Sequence, residues 1–454
     1  MNLAFFSPLP PEKSGIAIYS SELLPFLLKD YNIDIYTEGG TTANSLSGLP
    51  DVIDAHDFVW KHTQNPYDLI IYQLGNAACH DYMWPYLSRY SGLVVLHDSQ
   101  LHHARARALI NDDRHDQYRK EFQFYHENAD ITVAELGIQG ILGDLTYLWP
   151  MIRLPASAAK LIAVHNPLVA QKLQNAFPEQ SFETIHMGVP DPLLEAIDAT
   201  GRLTREQFGI APEDIVFTAI GGITPEKRVP QIIRALATLE HTLPFRLVLV
   251  GNTASHYDPI ADAQAYGIAD RVIVTGYVNN TELANHLATA DVCFCMRWPS
   301  SDETSASWLR CLAAGKPTII TDLATLVHVP SLVTRGTWAP SHLSAAQTDD
   351  EETGQPITVS IDLLDEDRSL ATATRRLALD ASLRRRLGQR ARNYWTAKHS
   401  MKRMTTDYHR TIESAMARTA PRLTTKFNPD GTEEARELLS SFGVLPDFLP
   451  ARNR

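Results

Sequence analysis

The sequence predicts an α/β protein with two doubly wound parallel sheets that face each other across a central cleft. Three observations support this fold class. Short apolar runs alternate with amphipathic stretches, which is typical of βαβ units. The alternation weakens near residues 190–202 and then starts again, so that each half resembles one complete unit. The length of 454 residues, at about 150 residues per domain, agrees with two or three domains.

The first half of the chain carries six predicted strands. They are residues 3–6, 32–36, 69–72, 93–96, 161–164 and 183–185. Helical patterns lie between them at residues 16–28 and 79–89, and a long polar helical region covers residues 101–127. We therefore assign residues 1–200 to an N-terminal Rossmann-like domain.

The second half repeats the pattern with five predicted strands. They are residues 215–219, 245–250, 271–274, 292–295 and 318–320. The predicted helices are residues 229–239, 281–288 and 304–314. Residues 201–395 form the predicted C-terminal Rossmann-like domain, with a surface loop at 335–356 and a basic helical region after Asp365.

Two further segments complete the predicted organisation. Residues 396–420 are expected to form a C-terminal helix. The tail 421–454 has no strong pattern beyond a short helix near residues 432–439, and its role stays open.

Composition excludes several classes of protein. The chain has 41 Lys and Arg against 53 Asp and Glu, a formal charge of −12, which argues against a duplex-DNA partner because phosphate neutralisation needs a basic face. No apolar run approaches the ~20 residues that span a bilayer, and the N-terminus lacks the features of a signal peptide. Four cysteines are too few and too unevenly spaced for a disulfide framework or a zinc cage. We expect a cytoplasmic protein and leave peripheral contact with the inner face of a membrane open.

Two glycine-containing loops follow predicted strands. The Pro-rich loop 7–15 ends at Gly15, where a helix begins, so that an anion could approach the backbone N–H groups. A Pro-rich turn with a helix cap is the alternative interpretation. The loop 221–228 places Gly222, Lys227 and Arg228 between a strand and a helix. This arrangement suits a diphosphate, although neither a GxGxxG nor a Walker spacing is present.

Two other strand ends carry candidate functional side chains. The loop 299–306 places Glu303, Thr304 and Ser305 before a helix, where a carboxylate can accept sugar hydroxyls while amides hold phosphate. An N-capping acidic turn is the alternative. His97 follows the strand 93–96 and could point into the cleft, or it could be an ordinary buried histidine.

Taken together, these loops resemble glycosyltransferase family 4 over roughly residues 1–415. The motifs that carry the resemblance are Val94-Val95-Leu96-His97-Asp98, Glu226-Lys227, Thr275-Gly276-Tyr277 and Pro299-Ser300-…-Glu303-…-Ala314-Gly315-Lys316-Pro317, in that order. The resemblance implies a GT-B fold and a retaining transfer of sugar from a nucleotide-sugar, with no cofactor and no metal. The donor would be a UDP- or GDP-sugar held by the C-terminal domain. The acceptor, a saccharide or a lipid-linked saccharide in polysaccharide biosynthesis, would lie on the N-terminal domain.

The resemblance also implies roles for individual residues. Lys227 would neutralise the donor diphosphate, and Gly15 and the amides near Ser305 would approach its phosphates. Glu303 would accept hydroxyls of the donor sugar, and His97 would lie near the reacting carbon. The residues expected at the nucleobase are Tyr277 and Val278. The last helix would cross back to the first domain.

The chain departs from the family pattern at two positions. Gly222 stands where family members usually have Arg, and Arg310 occupies the slot of a second Glu. We hypothesise that Arg310 or Arg228 replaces the lost diphosphate contact, the alternative being that Arg310 caps a carbonyl or pairs with an acidic neighbour. The predicted catalytic residues are His97, Glu303 and Lys227. The predicted donor-binding residues are Gly15, Gly222, Lys227, Arg228, Tyr277, Val278, Glu303, Thr304, Ser305 and Arg310.

Two alternatives to a transferase remain at this stage. One is a GT-B-fold sugar-nucleotide epimerase, which needs cleft carboxylates placed for acid/base chemistry. The other is a non-catalytic relative that binds a nucleotide or a partner enzyme, which the changes at Gly222 and Arg310 motivate.

Overall fold

The computed structural model describes residues 1–39, 49–192, 204–240, 242–334 and 355–421. Within these residues the first sheet has seven parallel strands in the order β3-β2-β1-β4-β5-β6-β7. The strands are β1 Asn2–Phe6, β2 Asn32–Thr37, β3 Val52–Asp54, β4 Leu69–Leu74, β5 Leu93–Leu96, β6 Leu161–Val164 and β7 Phe182–Thr184.

Eight helices accompany this sheet among the described residues. They are α1 Gly15–Leu27, α2 Phe58–Gln64, α3 Met83–Arg89, α4 His102–Ile110, α5 His115–Tyr125, α6 Thr132–Ile138, α7 Arg153–Ala158 and α8 Pro167–Ala176. β4, β5 and β6 are buried along their whole length, because helices cover both faces of a parallel sheet.

The second sheet repeats this architecture. Its seven parallel strands run in the order β10-β9-β8-β11-β12-β14-β13. The strands are β8 Ile215–Ile220, β9 Phe245–Val250, β10 Val272–Val274, β11 Val292–Cys295, β12 Thr318–Thr321, β13 Ser331–Val333 and β14 Thr358–Ile361. Helices that connect these strands are α9 Val229–Ala237, α10 Pro259–Ala265, α11 Asn280–Thr289 and α12 Ala306–Ala313.

Three helices end the described chain: α13 Glu366–Leu379, α14 Ala381–Lys398 and α15 Met401–Met416. α15 returns to the first domain and packs against α1, β4 and β6. There the hydroxyl of Tyr408 lies 2.8 Å from that of Tyr19 and 3.1 Å from the Gln73 amide nitrogen. No described helix is long and apolar enough to cross a membrane.

The predicted fold class is confirmed, but three strands were missed. β3, β13 and β14 are only three or four residues long and lie at or beside a sheet edge, too short for a clear periodic pattern. The predicted long helical region 101–127 is two helices, α4 and α5, separated by a turn in which Asp113 has a φ of +57°. The predicted helix 79–89 is a 3₁₀ turn followed by α3.

Some predicted features lie outside the described residues. These are the domain boundary at residues 200/201, residues 335–354 of the predicted surface loop, and the tail from residue 422 with its short helix.

The two sheets share a topological feature that positions the site. In each, the strand order reverses beside the first strand, between β1 and β4 and between β8 and β11. Ligands of open α/β sheets bind at the carboxyl ends of the strands flanking such a reversal. The loops that follow β8 and β11 are the glycine loop 221–228 and the acidic loop 299–306.

Candidate active site

A cavity of about 1,010 Å³ lies between the two domains. Its lining comes from the loop after β11, from the residues after β6, β7 and β12, and from one face of α14. Of the predicted site residues, the cavity brings together Glu303, Thr304 and Ser305.

The acidic loop is held in place by its own hydrogen bonds. The Glu303 carboxylate accepts a hydrogen bond from Ser300 Oγ at 2.9 Å and forms an ion pair with Arg297. Ser305 caps α12, its Oγ accepting a hydrogen bond from the backbone N–H of Trp308 at 3.2 Å. A carboxylate and a helix N-terminus therefore face the same cavity, which suits hydroxyl groups beside an anion.

Lys227 lies in a smaller pocket that adjoins this cavity. That pocket is also lined by Gly222, Ser305, Ser307 and Cys295, and both Ser305 and Cys295 are shared with the larger cavity. Burial, helped by the nearby Arg297, lowers the pKa of Lys227 to about 7. None of the described carboxylates forms an ion pair with Lys227, so its ammonium is available to an anionic ligand.

The glycine loop depends on a close backbone approach. A Cβ on Gly251, after β9, would lie 2.0 Å from the carbonyl oxygen of Gly221, and both residues have positive φ, +145° and +108°. A side chain on Gly251 would displace the backbone of Gly221, and the positive φ of Gly221 itself favours glycine. The loop after β8 therefore packs directly against the backbone after β9. The next residue, Gly222, is exposed and lines the Lys227 pocket.

Arg297 is a site residue that the sequence reasoning missed. It stands two residues after β11, lines the cavity, and binds Glu303. Burial lowers the pKa of its guanidinium, and the neighbouring Asp98 acts in the opposite direction. A cation just after a strand that borders the topological reversal is a sequence signal for a ligand-binding residue. The family motif begins only at Pro299, two residues later, and so does not include Arg297.

His97 does not line the cavity, which differs from its expected position. Its Nε2 lies 2.8 Å from Gln73 Oε1, and its Nδ1 lies 3.3 Å from Nε2 of His165. Its ring also packs edge-on against Tyr19, with 4.7 Å between the centroids. Burial lowers the pKa of His97 well below its usual value, so the ring is neutral. In this arrangement both ring nitrogens of His97 are used inside the first domain, and the neighbouring His165 reaches the cavity, as do His186, His328 and His399.

The two arginines expected to replace the missing phosphate contact are engaged elsewhere. Arg228 forms an ion pair with Glu366 of α13, with 2.7 Å between Nε and Oε1. Arg310 donates to Glu22 of α1 at 2.6 Å, across the domain interface. The structure therefore does not support the hypothesis that either arginine contacts the diphosphate. For Arg310 it agrees with the alternative, an ion pair with an acidic neighbour.

The predicted nucleobase residues follow β10, an edge strand of the second sheet. Tyr277 is half exposed, and the ammonium of Lys13 lies 5.0 Å from its ring centroid. Val278 packs against the small core around Val216 and Val248. Lys13 comes from the Pro-rich loop that ends at Gly15, so this loop of the first domain approaches the residues after β10. Gly15 itself is exposed at the start of α1, where an added Cβ would meet open space.

Direct contacts hold the two domains together beside the cavity. The backbone N–H of Ser99 donates to the Ser301 carbonyl at 3.0 Å, and Lys172 forms an ion pair with Asp302 at 2.6 Å. The Asn166 amide donates to the Thr325 carbonyl at 2.8 Å. These contacts close the cleft beside the loops that follow β11 and β12.

Comparison with known protein families finds a similarity in the second half of the chain. Residues 202–349 match the model of the family described as glycosyl transferases group 1. No curated protein matches the chain in sequence.

Solved structures support the GT-B fold over nearly the whole chain. Sucrose-phosphate synthase from Thermosynechococcus elongatus shares 16% identity at a TM-score of 0.61, with 92% of this chain and 99% of that chain covered. WaaG, a glycosyltransferase involved in lipopolysaccharide biosynthesis, shares 16% identity at a TM-score of 0.57, with 90% and 99% covered. HepE of Anabaena, solved in complex with UDP and glucose, shares 12% identity at a TM-score of 0.59, with 91% and 100% covered.

The group 1 match agrees with the expectation of a glycosyltransferase enzyme and contains most of the predicted site. Lys227, Glu303 and Ser305 lie within it, as does the missed Arg297. His97 and His165 belong to the first domain, outside the match. Among the described residues, no group of three His, Cys, Asp or Glu side chains is arranged to hold a metal ion.

Proposed function

We propose that this chain is a retaining, metal-independent transferase of glycosyltransferase family 4, which moves a sugar from a UDP-sugar to a saccharide acceptor. The observation that carries the proposal is the combination found beside β8 and β11. There Lys227, which forms no ion pair with the described residues, adjoins the N-terminus of α12 at Ser305, and Glu303 faces the same cleft.

The geometry supports a division of roles among these residues. Lys227 and the N-terminal amides of α12 stabilise the nucleoside diphosphate as its negative charge grows on departure. Glu303 accepts hydroxyls of the donor sugar, and Arg297 holds that carboxylate in position. In a front-face mechanism the leaving phosphate takes the proton of the acceptor hydroxyl while the new glycosidic bond forms on the same face.

UDP is the preferred donor nucleotide in this proposal. HepE of Anabaena, which shares the fold, has been solved with UDP-glucose. The proposed setting is the cytoplasm. Where the acceptor is lipid-linked, the protein would contact the inner face of the membrane peripherally.

The test is a panel of UDP-, GDP- and ADP-sugars incubated with the full chain. We expect slow hydrolysis of one donor with release of the sugar in its original anomeric form, unchanged by a chelator. Lys227→Ala should lower this rate by about 10²–10³, the usual cost of removing one charge-stabilising group. Lys29→Ala, on an exposed lysine just after α1, is the matched control and should leave the rate unchanged.

Two outcomes would contradict the proposal. An isomerised donor sugar would indicate an epimerase, and nucleotide binding without turnover of any donor would indicate a non-catalytic relative. Unchanged hydrolysis in Lys227→Ala would defeat the assignment of that residue to the diphosphate.

A further inference from the structure

One face of α14 lines the large cavity, at what we call its α14 end, and none of the described residues that line the Lys227 pocket belongs to this helix. Arg390, Asn393, Tyr394, Ala397 and Lys398 all reach the cavity, and their spacing of three and four residues places them along one side of the helix. This face contributes two fixed positive charges to the cleft.

These two cations have no carboxylate partner among the described residues. Neither Arg390 nor Lys398 takes part in an ion pair there. Among the described lining residues Glu303 is the single carboxylate, and Arg297 already neutralises it. The α14 end of the cavity is therefore positively charged within a chain whose formal charge is −12.

Histidines surround the same end of the cavity. The ring of His186 is held by the buried Asp407, with 2.8 Å between Nδ1 and Oδ2, so Nε2 is the nitrogen left for a ligand. Nδ1 of His328 is buried and has no hydrogen-bond partner in the described part of the chain. A buried nitrogen without a hydrogen-bond partner destabilises the folded protein unless a ligand or a water molecule supplies that partner.

The position of this end relative to the donor site suggests what it binds. The Lys227 pocket and the large cavity share Cys295 and Ser305, whereas Glu303 and the α14 face line only the large cavity. If the diphosphate lies at Lys227 and the donor sugar at Glu303, a group held by the α14 face belongs to the acceptor.

We propose that the α14 end of the cavity binds a phosphate group of the acceptor, so that the acceptor is a phosphorylated saccharide. Arg390 and Lys398 would donate to its oxygens, and the unpartnered Nδ1 of His328 would add a further hydrogen bond, a combination suited to a doubly charged anion. The inference rests on the proposed function, since it assigns the donor to the Lys227 side. The phosphate could belong to a free sugar phosphate or to a lipid-linked saccharide.

The first experiment titrates the full chain with UDP and then titrates the UDP-saturated protein with inorganic phosphate by calorimetry. We expect phosphate to bind alongside UDP. Arg390→Gln/Lys398→Gln should weaken phosphate binding about tenfold or more, because charge-assisted hydrogen bonds are lost, and should leave UDP affinity unchanged. The matched control is Arg385→Gln/Arg386→Gln, which removes two exposed cations from the same helix outside the cavity. Thermal unfolding of both double variants checks that they fold.

The outcomes separate this inference from the proposed function. If UDP binds but phosphate does not, or if the α14 variant binds phosphate like the control, the acceptor site is wrong and the donor site stands. If phosphate competes with UDP, the α14 cations serve the donor diphosphate and the inference is overturned. Failure of UDP to bind in the first titration contradicts the proposed function instead.

A second experiment distinguishes the sources of the phosphate. Turnover of UDP-glucose is measured with glucose 6-phosphate, with a short-chain prenyl diphosphate-linked glucose, and with glucose. Acceleration by either phosphorylated acceptor above glucose supports the inference and identifies the source. Acceleration by glucose alone overturns it.

Discussion

Lys227 shows how the surroundings of a single residue can determine the behaviour of a binding site. Its position after β8 was predicted from the sequence, but its protonation state depends on burial and on Arg297, which lies far away in sequence. Because its pKa falls to about 7, part of the Lys227 population is neutral at neutral pH. An anion bound beside it would restore the charge.

This leads to a prediction about the pH dependence of UDP binding. Bound phosphate should raise the pKa of Lys227 toward the usual ~10.4 of lysine, so binding takes up a proton above pH 7. UDP affinity should therefore be constant below the free-enzyme pKa of about 7 and fall as pH rises, by at most about tenfold per unit. Calorimetry between about pH 7.5 and 9 measures this fall in affinity. The outer phosphate of UDP, with a pKa near 6, is already ionised over that range.

Lys227→Arg provides the control, since arginine keeps its charge over this range. Its UDP affinity should change little between the same pH values. A wild-type affinity that is equally flat would mean that Lys227 does not face the diphosphate.

At the scale of elements, α15 joins the two halves of the molecule. Met404, Tyr408, Ile412 and Ala415 are fully buried, in a core cluster that also includes α1, the first sheet and Trp308 of α12. The ion pairs of Asp407 with Arg403 and Arg410 lie beside this face, and Asp407 also fixes His186. The helix therefore stabilises the first domain and orients one side of the cavity.

We expect Ile412→Ala to destabilise the protein by about 2–5 kcal/mol, because it removes buried methyl and methylene groups and leaves a cavity. Urea unfolding followed by circular dichroism measures this loss. Lys402→Ala, at an exposed position on the same helix, should stay within about 0.5 kcal/mol of wild type. Equal stability of the two variants would show that α15 does not contribute to the folded core.

At the scale of the whole molecule, ion pairs and hydrogen bonds link the domains across the cleft. Glu22 of α1 binds Arg310 of α12 with both side chains largely buried, at 13% and 16% exposure. Burial raises the pKa of Glu22, and Arg310 opposes that shift. Breaking such a pair leaves one poorly solvated charge, which is more costly than removing both.

Glu22→Gln should therefore favour the open arrangement of the domains. We expect a larger radius of gyration by solution X-ray scattering and about tenfold weaker UDP binding, because the loss of a charged hydrogen-bond partner depopulates the closed form. Glu179→Gln, at an exposed carboxylate of the first domain, is the matched control. The double variant Glu22→Gln/Arg310→Gln should recover part of the affinity. If it binds UDP more weakly than either single variant, Arg310 contacts the donor after all.

The sequence by itself determined the fold class, eleven of the strands and the loops that line the cleft. These follow from local rules, since a buried parallel strand is an apolar run and the loop at its carboxyl end faces the cleft. The positions of Lys227, Glu303 and Ser305 beside the cleft were predicted in this way.

Only the tertiary structure decided which of these side chains are available to a ligand. Arg310 and Glu22 are 288 residues apart, and His97 meets His165 over 68 residues, so no periodicity or motif could reveal either contact. The same holds for α14, whose cations face the cleft because the helix packs behind α12. Local sequence predicts where a side chain is attached, whereas its partners and its charge depend on long-range packing.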